Sequence, residues 1–281
     1  MNSSFSIVFA GGGCRTFWGV GVFDRIGRNL PAVSEWAGVS AGSAMAALSA
    51  AGRSREGMEL FLEATARNPR NFYPGRVFTG GRVFPHQAMY SGVFEKALSG
   101  GGMETLKAAA PVRILLAAVK NGFPPMRTMV RAIWAYERRK TRQVHGPDAI
   151  FPGLEPEIAV AQESVTPRDL VRQVISSSST PPLTDMAGPG GRNYVDGGLI
   201  DNVPVRALSE KARAGKVLVL LTRPYPKEII PRIPNRFYLA PSKPVPVAKW
   251  DYTAPKKIQE TYEQGAQEAE EAMGQIEEFL G

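Results

Sequence analysis

Three short stretches combine residue types that could cleave an ester. In "GVSAG", Gly38 to Gly42, Ser40 stands between two glycines in the pattern G-x-S-x-G. A serine hydroxyl becomes a useful nucleophile on a tight strand-to-helix turn, where the backbone folds close on itself and the flanking residues must be small. Gly38, Ala41 and Gly42 meet that steric need, and a helix starting there would aim its N-terminal partial positive charge at a developing oxyanion. The plainer alternative makes Ser40 a small residue in a helix-start turn. In "GGGCRT", Gly11 to Thr16, three glycines let successive backbone N–H groups converge on one point, as an anion or oxyanion site requires. A dinucleotide fingerprint needs a glycine where Thr16 stands, so that reading fails. Arg15 either holds the loop or attracts an anionic headgroup, or is a solvated helix-start residue. Cys14 reads as a small turn residue rather than a reactive thiol.

The third stretch, "YVDGGLIDNVP" from Tyr194 to Pro204, sets Asp196 before two glycines at a turn another backbone or a nucleophile can approach. An ordinary D-G turn aspartate fits equally well. Asp185 and Asp201 are the competing acids, with Asp201 better suited to ordering its own loop. The chain has two histidines, His86 and His145. No histidine precedes Ser40 and none follows Asp196, so neither the chymotrypsin-like nor the α/β-hydrolase triad order is available. Both are expected in loops, in structural or exposed roles. A two-residue mechanism remains, in which Asp196 takes the serine proton directly. Asp196 is a weak base by its ordinary acidity, and needs desolvation and hydrogen-bonded positioning to act.

These residues need strands and helices to position them. "SFSIVFAGGG" reads as a buried strand ending in glycines, followed by a helix that places Phe17, Val20, Phe23 and Ile26 on one face. "AVSEWAGV" is a second strand closing on Ser40, and "AGSAMAALSAAG" is an alanine-rich helix stopped by Gly52. Val112 to Lys120, Glu157 to Glu163 and Lys216 to Pro224 are further strands. Arg55 to Asn68 and Thr166 to Ser178 are helices between them. Alternation of this kind predicts an α/β fold with a mostly parallel sheet, whose ligands sit at the carboxyl ends of strands, where both glycine turns fall.

Over 281 residues, 43% hydrophobic and 21% charged content is that of a globular protein with one or two domains. The longest apolar runs are strand-sized, so no segment is expected to cross a membrane. The N-terminus lacks the basic start and long apolar core of a secretory signal, and a lone cysteine makes folding independent of an oxidising compartment; a cytoplasmic location is expected. A net charge of +8 favours anionic partners. Zinc spacings, heptads and aromatic ribonucleoprotein signatures are all missing, which argues against nucleic acid.

The glycine-rich "GGGCR" after the first strand, "GVSAG" about 25 residues later, "SSSSTPPL" (Ser176 to Leu183) and "DGGLIDNVP" together resemble the patatin-like phospholipases. The resemblance spans Phe5 to Val205, with Thr16 standing where the family commonly has glycine. It implies a three-layer α/β/α sandwich with a mostly parallel central sheet. It also implies Ser40 as nucleophile, Asp196 as dyad partner and the amides of Gly11, Gly12 and Gly13 as oxyanion hole. Arg15 would contact substrate or position the loop. Family members cleave acyl esters of phospholipids, lysophospholipids or neutral lipids with no metal or other cofactor. The whole of 1–281 is expected to form a single patatin-like catalytic domain, with the motifs in 5–205 and a C-terminal strand and helices in 206–281. Transfer of the acyl group to another acceptor uses the same residues, and a non-catalytic lipid- or anion-binding module uses the same glycine loop.

Phe123 to Gln143 sets Met126, Met129, Val130, Ile133 and Trp134 on one helical face and Arg127, Arg131, Arg138 and Arg142 largely on another. This amphipathic basic helix either packs on the core with a solvated basic face or meets an anionic membrane surface. The tail "QETYEQGAQEAEEAMGQIEEFL" is expected to be a packed helix with an acidic outer face.

Overall fold

The structure, a computed structural model, describes residues 4–147, 149–186 and 188–281. The first three residues of the N-terminal stretch read above therefore lie outside the described residues, as do Asp148 and Ala187. In chain order the elements are β1 (Phe5–Phe9), α1 (Phe17–Ile26), β2 (Val33–Val39), α2 (Ala41–Ala50), α3 (Ser54–Ala66), α4 (His86–Leu98), α5 (Gly102–Ala108), β3 (Val112–Val119) and α6 (Pro125–Arg139). They continue with β4 (Leu154–Val160), α7 (Pro167–Ser177), β5 (Tyr194–Val195), α8 (Gly198–Asp201), α9 (Glu210–Ala214), β6 (Lys216–Leu220), β7 (Arg236–Leu239) and α10 (Pro255–Leu280).

The strands form one sheet in the order β4-β3-β2-β1-β6-β7, with β5 also paired to β3. The pairs β1–β2, β1–β6, β2–β3 and β6–β7 are parallel; β4 and β5 run antiparallel to β3. The mostly parallel sheet expected from the sequence is present, with β1 near its centre. Central parallel strands are covered on both faces, so side-chain alternation assigns each residue to one of two cores. Phe5, Ile7, Phe9, Leu218 and Leu220 face the larger core, beneath α1, α2, α3, α4, α7 and α10. Val8, Ala10, Val217, Val219 and Leu221 face the other, covered by the 203–208 segment and α9. On that side Ala117 and Val119 of β3 pack under α6 and α8. The result is three layers, helices on sheet on helices.

Two contacts tie the C-terminal helix to the first. A Cβ added to Gly21 would fall 2.0 Å from the Tyr262 carbonyl oxygen, and one on Gly265 would fall 2.0 Å from that of Trp18. Glycine at both positions lets α1 and α10 meet backbone to backbone, and Trp18 Nε1 donates to Glu268 at 2.7 Å across the same seam. The helix start at α7 follows its local sequence: the Thr166 hydroxyl accepts from the Asp169 amide, the Asp169 carboxylate accepts from the Thr166 amide, and Pro167 occupies the first turn.

Several elements differ from the sequence reading. The strand expected over 157–163 ends at Val160 and continues as a 3₁₀ turn. His86, expected in a loop, opens α4. On α6 the apolar residues divide: Met129 is buried with Ala132, whereas Met126, Val130 and Trp134 are exposed. No helix of the described chain is long and apolar enough to cross a membrane.

Candidate active site

The sheet brings Ser40 and Asp196 together through strand β3. Its first half pairs with β2, where Val39 lies opposite Leu115. Its second half pairs with β5, where Val195 lies opposite Ala117. Since β2 is parallel and β5 antiparallel to β3, their carboxyl ends point at each other across the intervening position. The next residue of each chain is Ser40 on one side and Asp196 on the other. The Ser40 hydroxyl donates to Asp196 Oδ2 at 3.0 Å, and both side chains are buried.

The elbow at Ser40 is sterically tight. Among the described residues Ser40 is the one non-glycine residue with positive φ, at 53°; such a conformation costs about 1–3 kcal/mol and persists only where the surroundings enforce it. A Cβ on Gly38 would lie 2.5 Å from the Gly42 carbonyl oxygen, and one on Gly42 2.5 Å from those of Phe9 and Ala10. The glycines of the G-x-S-x-G pattern are thus needed for close approach of the turn to itself and to β1. The Ser40 amide donates to the Ser177 hydroxyl at 2.8 Å, and that hydroxyl donates to the Leu115 carbonyl at 2.7 Å. Ser177 also accepts the Gly197 amide on its own carbonyl at 2.9 Å, so one residue braces both turns. Ser177 falls in the run Ser176 to Ser179, but nothing in a run of serines tells which hydroxyl points inward.

Asp196 is held by its neighbour. Its Oδ1 accepts from the Gly198 amide at 2.8 Å, leaving Oδ2 for the serine. The competing acids are placed elsewhere. Asp185 is half exposed and pairs with Arg82. Asp201 orders its loop, as its position suggested: Oδ1 accepts from the amides of Gly146 at 2.8 Å and Val203 at 3.0 Å. Burial pushes its carboxyl above the usual range, opposed by His145 nearby. Neither histidine bonds Ser40 or Asp196. His86 Nε2 contacts the Trp250 carbonyl and its ring lies on Tyr252; His145 lies between the Val203 carbonyl and the Tyr238 hydroxyl.

The glycine loop lies beside the elbow because Phe9 of β1 is in register with Gly38 of β2. One expectation needs correction. The Gly11 amide donates to the Asn202 carbonyl at 3.0 Å, so it is already engaged. The amides of Gly12 and Gly13 have no hydrogen-bond partner among the described residues. The Gly11 carbonyl is clamped by Asn202 Nδ2 at 3.0 Å and by the Thr222 hydroxyl at 2.8 Å. Gly13 has φ of 57°, and a Cβ there would lie 2.1 Å from the Lys249 carbonyl oxygen, which accepts the Cys14 amide. Arg15 Nε donates to the Gly12 carbonyl at 3.3 Å, which assigns it a loop-holding contact. Burial, then Arg223 nearby, pushes the pKa of its guanidinium below the ordinary value. Thr16, at the position where a glycine was expected, donates its hydroxyl to the Gly13 carbonyl at 2.7 Å and so tightens the turn. Cys14 is buried, which pushes its thiol up and makes it unreactive.

Two hollows flank the site. An apolar one starts at Gly13, Cys14 and Ala41 and runs between α2, α3 and α4 past Met45, Leu48 and Phe94. A more polar cleft of about 700 Å³, open to solvent, includes Asp196, Tyr136, Asn202, Lys249 and Trp250. Among the described residues no group of three or more His, Cys, Asp or Glu side chains converges as metal ligands would.

The family model described as patatin-like phospholipase matches residues 7–209. No curated protein matches the chain. Among solved structures, the crystal structure of VipD from Legionella pneumophila is similar with a TM-score of 0.48 and 11% sequence identity, over 98% of this chain and 67% of that one.

Proposed function

The chain belongs to the patatin-like phospholipase family, and from that premise we propose that it is a serine lipid acyl hydrolase acting on phospholipids or lysophospholipids through Ser40 and Asp196. The observation that carries the reading is the 3.0 Å hydrogen bond from Ser40 Oγ, on its strained elbow, to Asp196 Oδ2. Asp196 takes the hydroxyl proton as Ser40 Oγ attacks the ester carbonyl carbon. The carbonyl oxygen becomes an oxyanion that accepts from the Gly12 and Gly13 amides, aided by the N-terminus of α2. When the tetrahedral intermediate collapses, Asp196 returns the proton to the leaving glycerol oxygen and the acyl group stays on Ser40. A water molecule, deprotonated by Asp196, then attacks the acyl-enzyme, and the proton passes to Ser40 Oγ as the fatty acid departs.

The apolar hollow supports an acyl-chain position, because it begins at Ala41, next to the nucleophile, and is lined by aliphatic and aromatic side chains. Helix α6 supports peripheral contact with an anionic bilayer. It leaves Met126, Val130 and Trp134 exposed beside Arg127, Arg131 and Arg138, and its inner face lines the cleft at Met129 and Tyr136.

The test is fluorophosphonate labelling of the wild type beside Ser40→Ala and Asp196→Asn, with fatty-acid release from phospholipid and lysophospholipid vesicles. Labelling and release both vanish in Ser40→Ala, and release falls by about 10²–10⁴-fold in Asp196→Asn, the range for loss of a positioned base. A folded wild type that neither labels nor releases fatty acid would overturn the reading.

A further inference from the structure

Beside the glycine loop, three half-buried cations gather with no carboxylate in ion-pair contact, Asp196 and Glu137 lining the same cleft as Lys249. The guanidinium of Arg15 bonds the Gly12 carbonyl, that of Arg223 bonds the Lys140 carbonyl and lies over the Tyr225 ring, and the ammonium of Lys249 lies over the Trp250 ring. None of the three forms an ion pair among the described residues, although Lys140 beside them pairs with Glu137. Bringing like charges together while removing them from water is unfavourable unless an anion joins them. Arg223 is near enough to disfavour the charge on Arg15, and Arg15 to disfavour that on Lys249. Burial and Arg15 push the Lys249 ammonium toward neutrality, whereas Asp196 opposes; Glu137 also favours its charge and Lys140 disfavours it.

The placement of these cations is specific. Arg223 follows Thr222, whose hydroxyl holds the Gly11 carbonyl, and Lys249 is the residue whose carbonyl holds the Cys14 amide. Both are thus fixed by the segments that brace the loop, and both lie beyond residue 209, where the family match ends. Lys249 lines the polar cleft together with Asp196. Arg223 lines the adjoining hollow, which shares Tyr136, Gly198 and Asn202 with that cleft. The apolar hollow starts at Ala41, the residue after Ser40, and shares no lining residue with the polar cleft, so the polar cleft is where a polar headgroup would project.

We propose that Lys249 and Arg223 form a phosphate-binding subsite that holds the anionic headgroup of a glycerophospholipid while its ester lies at Ser40. The two heads offer complementary chemistry, a planar fork for two phosphate oxygens and a mobile point charge for a third. The subsite rests on the hydrolase reading above, and it predicts that the headgroup phosphate contributes to substrate binding rather than to the acyl-transfer step.

The experiment has a binding arm and a turnover arm. In the first, sn-glycerol 3-phosphate and inorganic phosphate are titrated into Ser40→Ala, followed by phosphorus-31 resonance, and again with Lys249→Gln or Arg223→Gln added. Glycerol phosphate binds, and each second substitution weakens it by about tenfold or more, as for loss of one charge-assisted hydrogen bond. No binding to Ser40→Ala, equal affinity in all three proteins, or binding of inorganic phosphate alone would overturn the subsite. In the second arm, kcat and KM are compared on diheptanoyl phosphatidylglycerol below its micellar concentration and on uncharged p-nitrophenyl butyrate. Lys249→Gln loses about tenfold more kcat/KM on the phospholipid, chiefly through KM, and Lys249→Arg restores part of it. Equal losses on both esters would instead mean that Lys249 acts through Asp196. A wild type that cleaves neither ester would sink the hydrolase reading, and the titrations would still decide whether the anion site exists.

Discussion

The hydroxyl of Ser177 accepts the main-chain N–H of Ser40 at 2.8 Å, and nothing else among the described residues takes that amide. The contact holds the elbow in its strained conformation from the helix α7 side. Ser177→Ala leaves a buried N–H without a partner, which costs about 1–3 kcal/mol. The expected result is a lower melting temperature and slower fluorophosphonate labelling of Ser40, with KM for a soluble ester changed less than kcat. Unaltered labelling in the folded variant would show that the elbow holds itself.

Gly13 is restricted twice, by φ and by the Lys249 carbonyl. Gly13→Ala must displace either the turn or the 249 segment, and with it one of the two amides proposed as oxyanion donors. Activity is expected to fall by about 10²–10³-fold, the effect of removing one oxyanion donor. A comparison of labelling rates with circular dichroism separates this loss from unfolding.

The histidines give a control on mechanism. With His86 and His145 both replaced by glutamine, Ser40 is expected to keep labelling, because neither ring touches Ser40 or Asp196. Burial lowers the basicity of His86, so the native protein binds fewer protons there than the unfolded chain. Stability is therefore lost as pH falls through the ordinary imidazole range, and His86→Gln removes that component of the slope. Chemical denaturation across that range measures it.

Asp201 carries the opposite sign. Its carboxyl is raised by burial, so the native state holds a proton that the unfolded state has released. Stability from this group is present at low pH and falls as pH rises from the ordinary carboxylate range through the raised value. Its Oδ2 is buried without a hydrogen-bond partner among the described residues. Asp201→Asn keeps an oxygen for the Gly146 and Val203 amides, and should flatten that slope and leave the protein at least as stable at neutral pH. Greater loss of stability for the variant at neutral than at acid pH would refute this assignment.

Contact of α6 with bilayers is testable through its exposed apolar side chains. Met126→Ser with Trp134→Ser is expected to weaken co-sedimentation with anionic vesicles, and Glu at Arg127, Arg131 and Arg138 to abolish its salt dependence. Unchanged sedimentation in both variants would exclude the helix as the contact.

Much of this architecture was legible because glycine, serine and aspartate were fixed by local geometry. The strand-turn-helix units around Gly11 to Gly13 and Ser40 follow from apolar runs that stop at small residues. What escaped was set by partners far away in sequence. The Gly11 amide is taken by Asn202, the inward Ser177 hydroxyl is chosen by the α7 register, and Lys249 meets the loop through its backbone carbonyl, a group every residue carries. Strand β7 was missed because its four residues are only half-buried and show no strong alternation. His86 was expected in a loop because Pro85 precedes it, whereas the proline sits at the helix start, where its missing N–H is harmless.

The position of β1 between β2 and β6 has a temporal consequence. Its partner β2 follows within the same supersecondary unit, but β6 and the Thr222 clamp come much later, the hydroxyl of Thr222 reaching a carbonyl 211 residues earlier in the chain. Contacts of such long sequence separation form late, because the intervening chain must first be ordered. A growing polypeptide holding Ser40 and Asp196 but lacking residues 216–249 would have the two side chains without the braces of the glycine loop. The appearance of Ser40 labelling during synthesis would then mark the arrival of residues 216–249, not the emergence of Ser40 itself.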